Sequence, residues 1–259
     1  MQKQTPSVGQ LLRMWREHRR LSQLALSLDA GVSAKHISFL ESGRAAPSKA
    51  MVLTLAEVLS LPLRARNDLF LAAGLAPMYP QHGLDDPELA SARRAIETVL
   101  RAHEPSPAIA VDRHWNLVTA NRAFAPLVAG LGAAVLAPPV NVLRLSLRDD
   151  GLAPRIVNLE EWREHVLRRL RHQIQSCADP VLRSLYAELG GRSSSTPELR
   201  LHGDLVAMLR LRSGEVVLSF VTTTTVLGTP NDVALSELAI ESFFPADAAT
   251  AEALKRVSR

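Results

Sequence analysis

Between Leu21 and Ser48 the chain runs LSQLALSLDAGVSAKHISFLESGRAAPS, and this stretch carries its clearest chemistry. Ser22 is placed to cap a helix through Asp29 or Ala30, because a serine hydroxyl accepts from the unpaired N–H groups of a first helical turn. Gly31 supplies the positive φ of a sharp turn and Val32 can plug the core beneath it. Ser33 then caps a further helix, which Gly43 ends. Two short helices about a tight turn, the second offering small and polar side chains outward, make a helix-turn-helix. One helix of such a unit braces against a DNA backbone and the next enters the major groove. The charge agrees with this. Residues 1–80 hold ten Lys and Arg against five Asp and Glu, an excess of five, so the rest sums to −1 within the total of +4. Phosphate binding draws on such a local cationic surface.

Other spacings carry less. His165 and His172 sit seven apart on one Arg-rich helix, two turns from each other and without a third ligand, so no metal site is expected. Gly190-Gly191 ahead of Ser193–Ser195 reads as a loop, lacking the strand-to-helix setting and lysine of a phosphate cradle. Thr222–Thr225 suits a strand, where β-branched residues are favoured. No serine stands in a nucleophile elbow and no carboxylates pair, so neither catalysis nor a cofactor is expected. Arg163, Arg168, Arg169 and Arg171 could touch DNA or acidic lipid, but a solvated helix face accounts for them. Cys177, the single cysteine, excludes an intramolecular disulfide and any multi-thiolate site, and reads as an inert helix residue.

The elements that would position these residues follow from pattern. With 47% hydrophobic and 22% charged residues, the 259-residue chain can bury a substantial core in one large or two ordinary domains. The apolar run Leu127–Val142 is broken by Gly and Pro, and no signal-peptide pattern opens the sequence; a cytoplasmic protein without a membrane partner is expected. Helices are predicted over Val8–Arg20 and Lys49–Leu59, with a fifth from Pro62 to near Gly74. Leu75–Pro87, with three prolines and a glycine, reads as a linker. Beyond it a helix (Glu88–Ala102) precedes strands at Ala108–Val111 and Trp115–Ala120 and a helical Asn121–Ala129. Leu159–Ser176 is amphipathic, with Trp162, Val166, Leu170 and Ile174 on one stripe, and Pro180–Leu189 continues as a second helix. Leu205–Leu211 and Glu215–Val226 read as a hairpin about Ser213-Gly214, and Asp247–Val257 as a final helix.

From about Val8 to Ala73 the chain resembles the XRE family of phage-repressor-type helix-turn-helix domains. The resemblance rests on Leu21-Ser22-Gln23, Leu26-Ser27, Ala30-Gly31-Val32-Ser33, Ile37-Ser38, Leu40-Glu41, Gly43-Arg44 and Pro47-Ser48, in register with Leu12-Arg13, Arg16 and Leu55-Ala56. Ser27 departs from the alanine usual at the close helix crossing, but is small enough to fit. The resemblance implies that Gln23 bonds a phosphate, that Ser33 caps the recognition helix and touches phosphate, and that Ala34, Lys35 and Ser38 face base edges. It puts His36 near the backbone, Arg44 on a phosphate, and Phe39 either at a base or in the domain's own surface packing. Arg16 and Glu41 resemble the family's internal ion pair, tying the first helix to the third. Lysine can donate to guanine and alanine can pack on a thymine methyl. A double-stranded DNA operator and a homodimer on inverted half-sites are the implied partners.

From about Glu88 onward the chain resembles the MmyB-like ligand-binding domain, which has a PAS-like fold. Val111-Asp112-Arg113-His114-Trp115-Asn116, Thr119–Phe124, Asn141–Arg144 and LSELAIESFFP (Leu235–Pro245) carry that resemblance. It implies a small-molecule sensor with a fatty-acid-like effector. The residues themselves suggest an apolar pocket drawing on Trp115, Phe124, Trp162, Phe220, Phe243 or Phe244, any of which would also serve as core. Arg144, amid apolar neighbours, is a candidate for a ligand carboxylate or for an intradomain ion pair. The expected architecture is therefore multi-domain: an all-α five-helix lambda-repressor-like DNA-binding domain (1–76), a linker (77–87) and an α+β PAS-like domain (88–259). The expected function is a sequence-specific transcriptional regulator with an effector-sensing C-terminal domain. The alternative is that this domain serves only as a dimerisation or protein-interaction platform.

Overall fold

The computed structural model describes residues 6–190, 208–228 and 230–257. It separates into two compact units. The first comprises the chain up to Gln81 together with Gln173–Asp179 and Asn231–Val233; the second comprises His82–His172, Pro180–Pro230 and the chain from Ala234.

The first unit opens with helices α1 (Val8–His18), α2 (Gln23–Asp29), α3 (Ala34–Glu41), α4 (Lys49–Val58) and α5 (Leu63–Ala72). Serines start four of them: Ser7, Ser22, Ser33 and Ser48 accept from the backbone N–H of Gln10, Ala25, His36 and Met51. Ser7 and Gln10 bond reciprocally as a capping box. Inward-facing Leu26, Ile37, Leu40, Leu55 and Phe70 close a common core. Gly9 permits the close approach of α1 to α3, for a Cβ there would lie 2.5 Å from the Leu40 carbonyl oxygen. Part of the segment read as linker is tied down: Asn67 accepts from the N–H groups of Met78 and Tyr79 and donates to the Tyr79 carbonyl.

Beyond Gln81 follow α6 (Ala90–Ala102), β1 (Ala108–Val111), β2 (Leu117–Ala120), α7 (Ala125–Val128), α8 (Val142–Leu147), α9 (Leu159–Cys177) and α10 (Pro180–Gly190). Then come β3 (Met208–Ser213), β4 (Val216–Val226), α11 (Val233–Ser236), β5 (Ala239–Pro245) and α12 (Ala248–Val257). Among the described residues the strands form one five-stranded antiparallel sheet in the order β2-β1-β5-β4-β3. The two-domain, all-α then α+β architecture matches the expectation.

Three elements were not predicted, α8, the four-residue α11 and the central strand β5. In β5 the consecutive residues Ile240, Glu241 and Ser242 are all buried, so the alternation that marks a one-sided strand is missing. The second strand starts at Leu117 rather than Trp115, because Asn116 closes the preceding turn onto Asp112. Asn121 staples three segments: its Nδ2 donates to the Leu100 and Ser106 carbonyls and its Oδ1 accepts from Ala108 N–H. Gly191, Ser193–Ser195 and the predicted strand start at Leu205 lie outside the described residues.

Candidate functional site

The first candidate surface is α2, the turn and α3. Gly31 has φ +66°, and Val32 N–H donates to the Ser27 carbonyl, which folds the turn back on α2. Ser27 is buried and its hydroxyl donates to the Leu24 carbonyl, so the departure from alanine leaves no unpaired polar atom. Ile37 and Leu40 face the core, whereas Lys35 is exposed and Ala34, His36, Ser38 and Phe39 are partly exposed. Phe39 carries two cations on its ring, with Lys35 Nζ at 5.5 Å and Arg44 Cζ at 5.0 Å from the centroid.

Behind this surface lies the expected ion pair. Arg16 Nε and Nη2 donate to the two Glu41 oxygens at 2.6 and 2.9 Å, and Arg16 Nη1 donates to the Leu21 carbonyl at 2.9 Å. The hydrogen bond to Glu41 raises the Arg16 pKa above its ordinary value, so the guanidinium stays charged. Gln23 Nε2, the amide that the resemblance turns toward phosphate, donates to Glu41 Oε2 at 2.8 Å. It therefore joins α2 to the same carboxylate that ties α1 to α3.

The second candidate is a cavity in the second unit with an empty volume of about 710 Å³, open space at its mouth included. Of the residues singled out from sequence, Trp115, Phe124, Trp162 and Phe243 line it. Phe220 does not: it is fully buried behind Phe243, edge to face at 6.2 Å. Phe244 is partly exposed and packs on His103. Arg144 is not in the wall either. Its guanidinium clasps Glu188 at 2.7–3.1 Å on the surface, raising its own pKa and lowering that of Glu188, so the intradomain alternative holds.

Trp115 reaches the wall through an unusual backbone, φ +66° in a bulky residue. Asp112 Oδ1 accepts from the N–H groups of His114 and Asn116, and Asp112 Oδ2 accepts from Asn116 Nδ2. Asn141 Nδ2 donates to the His114 carbonyl, and Val142 N–H to that of Trp115. Opposite, Trp162 Nε1 donates to Ser146 Oγ at 2.7 Å.

The arginines of α9 correct the reading of a solvated face. Arg168 is exposed and pairs loosely with Glu164 one turn back. Arg171 donates to the Tyr186 hydroxyl. Arg163 is buried and donates to the Leu189 and Leu147 carbonyls, at the C-terminal ends of α10 and α8, where helix dipoles favour a cation. Arg169 lines the cavity, bound to Glu241, a second wall residue that sequence reasoning passed over. A signal existed. Arg169 falls seven residues after Trp162, on the stripe of Trp162 and Val166. Glu241 is a lone acid within AIESFFP. His165 stacks on Trp162 at 5.4 Å, with its pKa lowered first by burial and then by Arg169 and Arg168. Among the described residues, no group of three His, Cys, Asp or Glu could hold a metal ion, and no helix is long and apolar enough to cross a membrane.

Comparison with known families and structures adds the following. A model described as MmyB-like transcription regulator ligand binding domain matches residues 92–257, and one described as Helix-turn-helix matches residues 12–65. The chain is similar to the restriction-modification controller protein C.AhdI from Aeromonas hydrophila, with 30% identity over 24% of this chain and 91% of that one, at a TM-score of 0.23. It is also similar to an RNA-binding light-oxygen-voltage receptor, with 14% identity over 98% of this chain and 64% of that one, at a TM-score of 0.28. No curated protein matches it.

Proposed function

This chain belongs to the DNA-binding transcription regulators with an MmyB-like ligand-binding domain, and from that premise we propose that it reads a specific operator through α3 and answers a small apolar or fatty-acid-like effector. The family points to regulation rather than catalysis. The observation that carries the effector half is the cavity, walled by Trp115, Phe124 and Trp162 with few polar groups. Support for the operator half is the outward row Ala34, Lys35 and Ser38, with Arg44 beside it and a net basic first unit. In this reading the protein works in the cytoplasm as a homodimer on inverted half-sites, because two copies of one recognition helix then read one turn of duplex. The effector must prefer one state of the protein over another, since equal affinity for both would shift nothing.

Selection of binding sites from randomised DNA, with and without a cell lipid extract, tests both halves. The expected result is a two-fold-symmetric site whose occupancy changes with the extract. Native mass spectrometry of the purified full chain should show copurified amphiphile. A selected site indifferent to every fraction, on a protein that carries nothing, would refute the sensing half.

A further inference from the structure

We propose that the cavity takes an amphiphile with an uncharged head, and that Glu241 is the residue that excludes a carboxylate. The inference rests on the effector reading above and narrows it, keeping an acyl chain with an uncharged head and setting aside a free fatty acid. Among the described residues that line the cavity, Arg169 is the single cation. A fatty acid would need that cation for its head group, and it is already engaged. Arg169 Nη1 donates to Glu241 Oε2 at 2.9 Å and Nη2 to Glu241 Oε1 at 2.7 Å. Nη2 also donates to the Thr224 hydroxyl at 2.6 Å, and that hydroxyl donates onward to Glu241 Oε1 at 3.0 Å. The guanidinium lies over the Trp115 ring at 5.0 Å, so one face of it is covered as well.

Glu241 cannot yield this position cheaply. It stands on the central strand β5, paired with Ile109 of β1 on one side and Thr224 of β4 on the other. Its side chain is 6% exposed, against 28% for Arg169, so little of the carboxylate meets water. An incoming carboxylate has two choices. It can share Arg169 and sit beside a buried like charge, or it can take Arg169 and leave Glu241 uncompensated. Both are penalised in a low-dielectric wall. An uncharged head meets neither penalty. A guanidinium has five N–H donors, and the contacts to Glu241 and Thr224 leave donors for a carbonyl or hydroxyl oxygen. Ser146, whose oxygen accepts from Trp162, has a hydroxyl proton to offer a second such oxygen.

The test uses the full chain and two probes of equal chain length, 1-monolaurin and laurate, at pH 8 and below their micelle concentrations. Binding is read by calorimetry and by fluorescence of Trp115 and Trp162, both in the wall. Monolaurin should bind at least tenfold more tightly than laurate, and Glu241→Gln should shift the monolaurin-to-laurate affinity ratio at least tenfold toward laurate. Laurate binding as tightly as monolaurin to the wild-type protein would overturn the head-group inference and leave the effector reading standing. An unchanged ratio in a folded E241Q protein would overturn the role of Glu241. Binding of neither probe would overturn the head-group inference, while the effector reading would be decided separately by the lipid-extract selection. The wild-type comparison decides the head-group question even if E241Q does not fold.

Discussion

Replacing Glu41 by alanine should loosen α1 and α3 by an amount that the geometry of the first unit fixes. The carboxylate is 4% exposed and accepts three hydrogen bonds, two from Arg16 and one from Gln23. Its loss strands Arg16, whose side chain is 10% exposed and keeps the Leu21 carbonyl and Glu17 at 3.7 Å. Breaking a buried pair from one side costs about 3–5 kcal/mol. The surviving partners put Glu41→Ala near the lower end, at about 3 kcal/mol. Distance alone would mislead here, because Arg13–Glu17 is also short, at 2.8 Å, with side chains 65% and 53% exposed. That exposed pair is screened by solvent and adds little to stability.

At about 1.4 kcal/mol per tenfold, the loss amounts to on the order of a hundredfold in the local opening equilibrium. Hydrogen exchange read by mass spectrometry reports it directly, with peptides of β4 and β5 as an internal control. Protection of α1 and α3 amides should fall by that factor, while the sheet peptides stay unchanged. An apolar pair, Arg16→Met with Glu41→Leu, should recover most of the loss, since it strands no charge. A fall of less than about fivefold in Glu41→Ala, or a double variant no better than the single, would refute the argument that a buried charge sets the cost.

Three further outcomes follow from the same structure. Gly9→Ala should destabilise the first unit by about 1–3 kcal/mol, because its Cβ meets backbone oxygens of Leu40 and Glu41 that cannot turn aside; thermal melting should reveal a lower midpoint, and an unchanged one would show that α1 slides freely. Lys35→Ala should relax base preference at one operator position, whereas Arg44→Ala should weaken all sequences alike and reduce the salt slope by about 1; anisotropy titrations on single-base variants at several salt concentrations separate the two. The lowered pKa of His165 means that the unfolded chain takes up the proton first as pH falls. Its contribution to stability is therefore whole above the ordinary histidine value of 6.5 and is lost below it, down to the lowered folded value. His165→Phe should flatten the decline in melting temperature between pH 7.5 and 5.5, and an identical decline would assign it to other groups.

The helix-turn-helix was readable because each of its boundaries is set by near neighbours. Ser22, Ser33 and Ser48 each accept from an N–H three residues on, and Gly31 turns the chain by itself. The cavity wall was half readable. Its aromatic residues stand out by type, but its polar centre joins residues 72 apart in sequence, Arg169 and Glu241. Neither position announces its partner, and four arginines on one helix invite a single explanation when they have four different surroundings. The six-residue α8 is too short for a helical period to emerge, and β5 hides its period by being buried on both faces.

Trp115 shows how these two kinds of information meet. An aromatic residue at φ +66° costs about 1–2 kcal/mol in backbone strain, so something must hold it there. Asp112, Asn116 and Asn141 do so through bonds to the turn's own N–H and carbonyl groups, and Asn141 arrives from 26 residues beyond Trp115. The segments Val111–Asn116 and Asn141–Arg144, conspicuous in the sequence as two separate motifs, are thus one device. Its product is an indole ring fixed in the cavity wall beneath the Arg169 guanidinium. The ring and Glu241 constrain that cation from different sides, one by covering a face and the other by taking its donors. In the head-group proposal, selectivity therefore arises from how fully the fold has already satisfied Arg169, more than from the presence of a positive charge.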